Sequence, residues 1–514
     1  MSDILFGQSY YLRFDRKLEA ALKPYPPLGT MYAASYLRRR GYDVGMFDAM
    51  LAGSEQDWDD ALVRHRPRIA VLYEDNFNYL SKMCLLRMRQ AAFTMIDLAR
   101  RRGCTVIVAG ADATDRWASY LARGADYVVL GEGEETLGEL VDWLANRSNL
   151  TLEAIRGIAY VGPAGPIQTQ RRPDLREVDA LPLPAWDLID VDRYRDIWRR
   201  RHGYYSMNAV TSRGCPYHCN WCAKPIWGQR YNVRSPGNVV EELVWLKSTY
   251  HPDHLWFADD ILGLKPQWIQ HFADDVTASN AVIPFKSLNR ADLLLKDDTI
   301  PALKRAGAET VWLGAESGSQ RILDAMDKGI RVEQIYEATR RLQAVGIEVG
   351  LFLQFGYPGE TRSDVDLTRK MVRDLVPDDI GISVSYPLPG TRFYEAVRTE
   401  LGVKENWVDS DDLAMLYQGP FSTAFYRKLH EVVHKEFRSL RAWRDFRWPI
   451  SGGVRSTAGL LRRLAGAAYH AATLPITLWQ LDRLGRTPSR DNGKQVPIPL
   501  AVTVRQPDSA VGPD

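Results

Sequence analysis

Cysteine is scarce in this chain, five residues in 514. So few, so scattered, do not build the disulfide framework of a secreted protein. They point instead to a cytoplasmic, reducing compartment where thiols stay free to bind metal. Charge of one sign is missing as well, with 66 Lys and Arg against 64 Asp and Glu and a net charge of +2. No global pull towards nucleic acid or membrane follows, no nucleic-acid partner is expected, and any such preference has to be local. The opening "MSDILFGQSYYLRFDRK" lacks the basic start and long apolar run of a signal peptide. What remains is an ordinary globular composition, 45% hydrophobic and 25% charged, long enough for two or three domains.

Within residues 1–150, short apolar runs alternate with helical patterns. "DILF", "DVGMF", "IAVLYE", "TVIVAG" and "DYVVL" read as buried strands, and "TMYAASYLRRRG" and "EETLGELVDWLA" as helices between them. The alternation predicts an α/β domain with a doubly wound, Rossmann-like parallel sheet covered on both faces. Residues 151–207 are poorer in periodicity, carry "LPLPAW", and read as a linker. A second series runs through residues 208–400, with strands "NAVTS", "HLWFA", "PFKSL", "TVWLG", "EVGLFLQF" and "GISVSY". Six βα units are too few for a complete eight-fold barrel, so a partial (β/α)6 TIM-like barrel is expected. Chemistry then gathers at the C-terminal ends of the strands. Just past those ends lie "RGCPYHC", Asp259 and Asp260, "NR", "AESGS", "GYPGET" and "PLPGT". Polar, Gly and Cys residues also punctuate ordinary turns, but six such loops in phase favour a shared site.

Three of the five cysteines, Cys215, Cys219 and Cys222, fall within eight residues. Thiolates spaced C-x3-C-x2-C can converge on one metal centre from a single loop. Zinc needs a fourth ligand, for which His218 or His202 could serve, although four ligands from so short a segment are strained. A cubane iron–sulfur cluster held by three cysteines leaves one iron open, which suits chemistry rather than plain electron transfer. The bland alternative is three buried structural cysteines.

"CPYHCNWC" directly after the first barrel strand resembles the signature of the radical S-adenosylmethionine (SAM) superfamily, with Trp221 as the aromatic residue before the last cysteine. "LGAESGSQRILDAMDKG" resembles that superfamily's fourth-strand SAM segment, and "GYPGET" and "PLPGT" its later loops. The resemblance implies a [4Fe-4S] cluster on Cys215, Cys219 and Cys222, with the open iron chelated by SAM. One electron, from a donor such as flavodoxin or ferredoxin, then cleaves SAM to methionine and a 5′-deoxyadenosyl radical. It further implies Glu316 as a SAM contact, with Ser317 and Gly356 in the same loops, and Asp259 and Asp260 near the methionine moiety.

Residues 25–49 resemble the start of the cobalamin-binding domain that precedes many radical SAM domains, and "VIVAGADAT" and "DYVVLGEGEETLGELVDWL" resemble its later loops. The resemblance implies cobalamin on this domain. Gly29 lies in the first of these stretches. Gly110, Gly131 and Gly133 sit at strand ends, where ligands bind in open parallel sheets and where small residues let a flat ring approach. The D-x-H-x-x-G motif that brings histidine to cobalt is absent, and His65 is the only histidine before residue 200. Cobalt without a protein histidine below it is therefore expected. A degenerate domain kept for structure or dimerisation is the alternative. The aromatic residues of "YEDNFNYL" could face the ring or fill the core, while Cys84 and Cys104 read as buried structural cysteines.

The C-terminal region, residues 401–486, is expected to be helical. Ten Arg or Lys face three Asp or Glu over residues 427–463, interleaved with aromatics, and residues 464–481 carry no formal charge. That suits a helix lying on a membrane, or a cover over an oily substrate. The plain alternative is a helical cap on the barrel with a solvated basic face. The polar, Pro-rich residues 487–514 read as a disordered tail.

The resemblances together imply a cobalamin-dependent radical SAM enzyme methylating an unactivated carbon of a small-molecule or lipophilic substrate. Oxidative cyclisation or rearrangement without methyl transfer uses the same architecture. A methylthiotransferase fits less well, since it carries a different N-terminal domain with more cysteines and an RNA-binding C-terminal barrel. A non-catalytic cobalamin or redox sensor is the rival from another class.

Overall fold

In the computed structural model, residues 2–83, 85–402, 406–447 and 457–486 are described. The first sheet has seven strands: β1 (Ile4–Gly7), β2 (Val44–Met46), β3 (Ile69–Tyr73), β4 (Thr105–Ala109), β5 (Tyr127–Val129), β6 (Ile158–Gly162) and β7 (Gly165–Gln168). Their order is β2-β1-β3-β4-β5-β6-β7. The first five are parallel, and β1 and β3 are buried along their whole length because apolar cores cover both faces.

The sheet does not end at residue 150. Strands β6 and β7 form an antiparallel hairpin on its edge, within the stretch expected as a linker. Gly162, Pro163, Gly165 and Pro166 hide the strand pattern there. The outermost strand can carry Pro166 because its other side needs no ladder partner.

The second sheet is a partial barrel of six parallel strands: β8 (Ser206–Ala209), β11 (His254–Phe257), β12 (Phe285–Asn289), β13 (Ala308–Glu316), β14 (Glu348–Phe355) and β15 (Asp379–Val384). Between β8 and β11, the short strands β9 (Ser212–Arg213) and β10 (Asn232–Val233) pair antiparallel. One core spans both domains. It runs from Tyr10, Met50 and Phe77 at the strand ends of the first sheet, through Ile226 and Trp227, into the barrel. The two C-terminal edges are therefore pressed together.

Among the described C-terminal residues, the helices Thr423–Arg447 and Thr457–Arg486 pack on each other, and Arg369 of the barrel pairs with Glu436 at 2.7 Å. The irregular stretch before them straps the two domains. Trp407 accepts from the Leu86 N–H at 2.7 Å, Ser410 donates to Asp15 at 2.7 Å, and the Tyr417 hydroxyl donates to the Gly356 carbonyl. Among the described residues no helix is long and apolar enough to cross a membrane. Cys84 and residues 487–514 lie outside the described residues.

Candidate active site

Strand β8 ends in a knot of hydrogen bonds. Asp259, at the end of neighbouring β11, accepts from the Thr211 amide at 3.0 Å, the Thr211 hydroxyl at 2.8 Å and the Ser212 hydroxyl. Burial lifts its carboxyl to about 6 against those bonds, and only 1% of the residue is exposed. Asp259 thus fastens two strands, and its oxygens are taken up by its own chain. Asp260 pairs with Lys82 of the first domain and lies near Cys215 and Cys222.

From this knot residues 214–231 leave as one loop, closed at its neck by the β9–β10 ribbon. At Gly214 (φ +81°) a side chain would lie 2.5 Å from the Arg230 carbonyl, so only glycine fits. The loop carries Cys215, Cys219 and Cys222, all free and half-buried. Asn220 anchors its middle. Its backbone N–H and side-chain amide donate to the Met326 and Ala325 carbonyls at 3.0 and 2.7 Å, and its side-chain oxygen accepts from the Tyr357 hydroxyl at 2.9 Å. The Arg290 guanidinium lies 3.6 Å from the centre of the Tyr217 ring. Trp221 is half-buried, and its indole N–H has no partner among the described residues.

Burial raises the Cys215 thiol and pushes Cys222 up to about 12, against the charge of Lys224. Such thiols stay protonated until a cation replaces the proton. Among the described residues no three His, Cys, Asp or Glu side chains form a group that could hold a metal ion. A four-iron cluster does not need one, because each thiolate binds its own iron. Three cysteines on one anchored loop fit that group.

Glu316 closes β13 in a left-handed conformation (φ +58°), and its carboxylate accepts from Lys328 at 2.8 Å, both side chains being buried. A side chain at Gly314 would lie 2.8 Å from both charged groups. Lys328 also feels Cys219, and its ammonium lies 6.0 Å from the Trp221 ring. Glu316, Trp221 and the cysteine loop are therefore neighbours. Ser317 is not turned to them. It is fully buried, 3.2 Å from the Thr368 hydroxyl, and accepts from the Ser319 amide. Gly356 (φ +80°) donates to Glu360 and is covered by Met415 and Tyr426.

The facing edge belongs to the first sheet. A side chain at Gly110 would lie 2.6 Å from Glu74, one at Gly133 2.7 Å from the Tyr73 hydroxyl, and one at Gly29 3.0 Å from the Asn76 amide. These three glycines let the loops close on one another. Gly131 (φ +77°) faces the barrel, where a side chain would lie 3.4 Å from the Ile226 carbonyl. Past β1 the Ser9 and Tyr10 hydroxyls are buried without a partner among the described residues. That leaves unused polar groups at the edge where such sheets hold ligands. His65 sits at the opposite edge, 3.4 Å from Ser2.

Between the edges lies an open cleft. In "YEDNFNYL", Tyr73 and Phe77 are core, but Tyr79 is 55% exposed. Yet its phenol is raised far above its ordinary range, first by burial and then by Cys222, Glu316 and Tyr386. An exposed tyrosine close to Cys222 and Glu316 of the barrel marks the wall of a cleft shared by the two domains. Arg213, Lys328 and Asn220 were not legible as site residues, because only the folded chain brings "TSRGC" to "GEGEE", Lys328 to Glu316 and Asn220 to Ala325.

Residues 18–141 match the B12 binding domain and residues 209–372 match the radical SAM superfamily. Residues 209–372 are thus a radical SAM domain and residues 18–141 a B12-binding domain, and the cofactors of this pair are a [4Fe-4S] cluster, SAM and cobalamin. The uncharacterized methyltransferase PH0819 of Pyrococcus horikoshii is 28% identical over 74% of this chain and 81% of its own length. The hopanoid C-3 methylase of Methylococcus capsulatus is 26% identical over 85% of this chain and 82% of its own. The anaerobic magnesium-protoporphyrin IX monomethyl ester cyclase of Synechocystis sp. is 27% identical over 62% of each chain. The structure of the cobalamin-dependent SAM radical enzyme OxsB superposes with a TM-score of 0.70 at 17% identity, over 96% of this chain and 74% of that one, and shares its fold.

Proposed function

We propose that this chain is a cobalamin-dependent radical SAM methyltransferase acting on an unactivated carbon of a small-molecule or lipophilic substrate. The observation that carries it is the meeting of the two strand-end edges, where Lys82 of the first domain pairs with Asp260 of the barrel and Tyr79 lies near Cys222 and Glu316. Cys215, Cys219 and Cys222 would hold the cluster. Glu316, Trp221 and Asp260 would bound the SAM site, and the loops at Ser9, Tyr10, Gly29, Gly110, Gly131 and Gly133 would hold the corrin. Bound there, these groups supply a one-electron reductant, a radical source and a methyl carrier.

The chain's own residues arrange and enclose them. Asp259 fixes the loop's origin, and Asn220 fixes its middle. Lys328 gives the buried Glu316 carboxylate its counter-charge. Gly110, Gly29 and Gly133 let the loops at the first sheet's own edge close tightly on one another. Ser317 and Gly356 act from behind, by shaping the two loops.

Two of the three relatives above carry methyltransferase or methylase names, which supports methyl transfer. The cyclase relative favours a second reading, ring closure without methyl transfer. Anaerobic turnover with methyl-deuterated SAM, a flavodoxin or ferredoxin donor and candidate lipophilic substrates separates them. A product carrying the labelled methyl is expected. A product that has lost hydrogen and gained no label overturns methyl transfer in favour of cyclisation.

A further inference from the structure

The helix Thr457–Arg486 shows an apolar stripe to solvent. Tyr469, Ile476 and Trp479 are 63%, 61% and 61% exposed, although most residues of their kind are inside. Ala465 and Ala472 lie on the same line, and so do Arg483 and Arg486, also exposed. The seven positions are spaced alternately by four and three residues, which puts them on one face of a helix. From Tyr469 to Arg486 that face is about 25 Å long. No acidic residue interrupts it. Asp482 lies on the flank, where Arg362 holds it at 2.7 Å.

The neighbouring helix extends the patch. Lys435 donates to Thr477 at 2.8 Å, and because the two helices run antiparallel this contact sets Trp443 level with Tyr469. Trp443 is 58% exposed. Arg438, exposed and close enough to depress the His470 pKa, adds positive charge beside it. Aromatic residues therefore stand at both ends of the stripe and arginines at one end and one margin. The Arg483 guanidinium lies over the Trp479 ring at 6.0 Å.

We infer that this face is a membrane-docking surface that lies on anionic lipid. The chemistry matches an interface rather than a protein partner. Trp and Tyr favour the headgroup level, and arginine can keep its charge among lipid phosphates while its stem stays apolar. The 4-3 spacing would also suit a helical seam with a second copy. Such a seam would have to bury Arg483 and Arg486 in its last two places, whereas a bilayer surface leaves them paired with phosphate. The helix rests on the surface and does not cross it. The inference stands apart from the chemistry of the cleft, since it needs neither cofactor nor substrate.

The test uses the full chain and vesicles of phosphatidylcholine with or without phosphatidylglycerol. Co-sedimentation is expected with phosphatidylglycerol and should weaken as salt rises. The variant I476E/W479E and the variant R483E/R486E change only exposed side chains. Each should cut partitioning by about tenfold or more, the second through lost attraction to anionic lipid, while melting temperature stays near that of the parent. Failure of the full chain to sediment with anionic vesicles overturns the inference. So does equal sedimentation of parent and variants. A parent that light scattering shows to be dimeric, with both variants monomeric and no vesicle binding by any form, assigns the stripe to a second copy and also overturns it.

Discussion

Arg213 of the barrel donates to Glu134 of the first domain at 2.7 Å, and its other terminal nitrogen reaches Glu132 at 2.6 Å. All three side chains are almost sealed from water. The guanidinium also lies over the Tyr32 and Phe77 rings, at 5.4 and 5.6 Å. Arg213 stands two residues ahead of Cys215, and the two glutamates follow β5. One cation thus ties the root of the cysteine loop to the opposite edge of the cleft.

Removing that cation leaves two buried carboxylates without a counter-charge. Arg213→Met is expected to destabilise the protein by about 3–5 kcal/mol. Arg213→Lys keeps the charge but loses the planar fork, and should fall between the two. Urea denaturation checks this. A midpoint for Arg213→Met equal to that of the parent would show that the contact contributes nothing.

The cysteines separate by position. Replacing Cys215, Cys219 or Cys222 by Ala should each lower bound iron after anaerobic reconstitution and abolish 5′-deoxyadenosine formation, since the open-iron arrangement needs the other three corners held. Cys104 is buried against the Pro67 carbonyl at 3.3 Å, so Cys104→Ala should keep iron and activity at a modest cost in stability. Full 5′-deoxyadenosine formation by Cys219→Ala, or stoichiometric zinc in the anaerobic parent, would remove the cluster from this loop.

All eleven strands read from the sequence are strands in the fold, because buried parallel strands are unbroken apolar runs between helical patterns. Strands β6 and β7 escaped, because glycine and proline at an edge hairpin look like a loop. The cysteine spacing was legible because all its parts lie on one loop. Asp259 was legible as a polar residue at a strand end, but not as one already bonded to Thr211 and Ser212. The Arg213–Glu134 and Lys328–Glu316 pairs are long-range or lie across a turn, and no local pattern encodes them. Glycines were read as space for a ligand, yet at Gly110 and Gly133 the space is filled by Glu74 and Tyr73. Composition shows that a side chain is missing and cannot show what fills its place.

The first domain offers no histidine at its strand-end edge that could ligate cobalt. His65 is the only histidine before residue 200, and it lies beside Ser2 at the edge away from the cleft. Cobalamin bound to the anaerobic protein in its cob(II)alamin form should therefore show no superhyperfine splitting from a protein nitrogen in its electron paramagnetic resonance spectrum. His65→Ala should leave that spectrum and the bound cobalamin unchanged. Nitrogen splitting that disappears in His65→Ala would mean that the domain rearranges on binding.

Glu360 sets a pH dependence. It is 3% exposed, with one oxygen accepting from the Gly356 amide at 2.8 Å and the other without a partner among the described residues. Burial lifts its carboxyl from 4.5 to about 8. Between those values the folded chain keeps a proton that the unfolded chain releases, so this residue's contribution to stability falls as pH rises. Glu360→Gln keeps an oxygen for Gly356 and cannot ionise. Thermal melts of parent and variant should coincide most closely at the acid end of that window. The variant should then melt progressively higher than the parent as pH rises through it, and the gap should stop widening once the folded carboxyl has itself ionised. A gap that is constant with pH, or that widens towards acid, would mean that Glu360 is ionised in the fold and held by a charge partner.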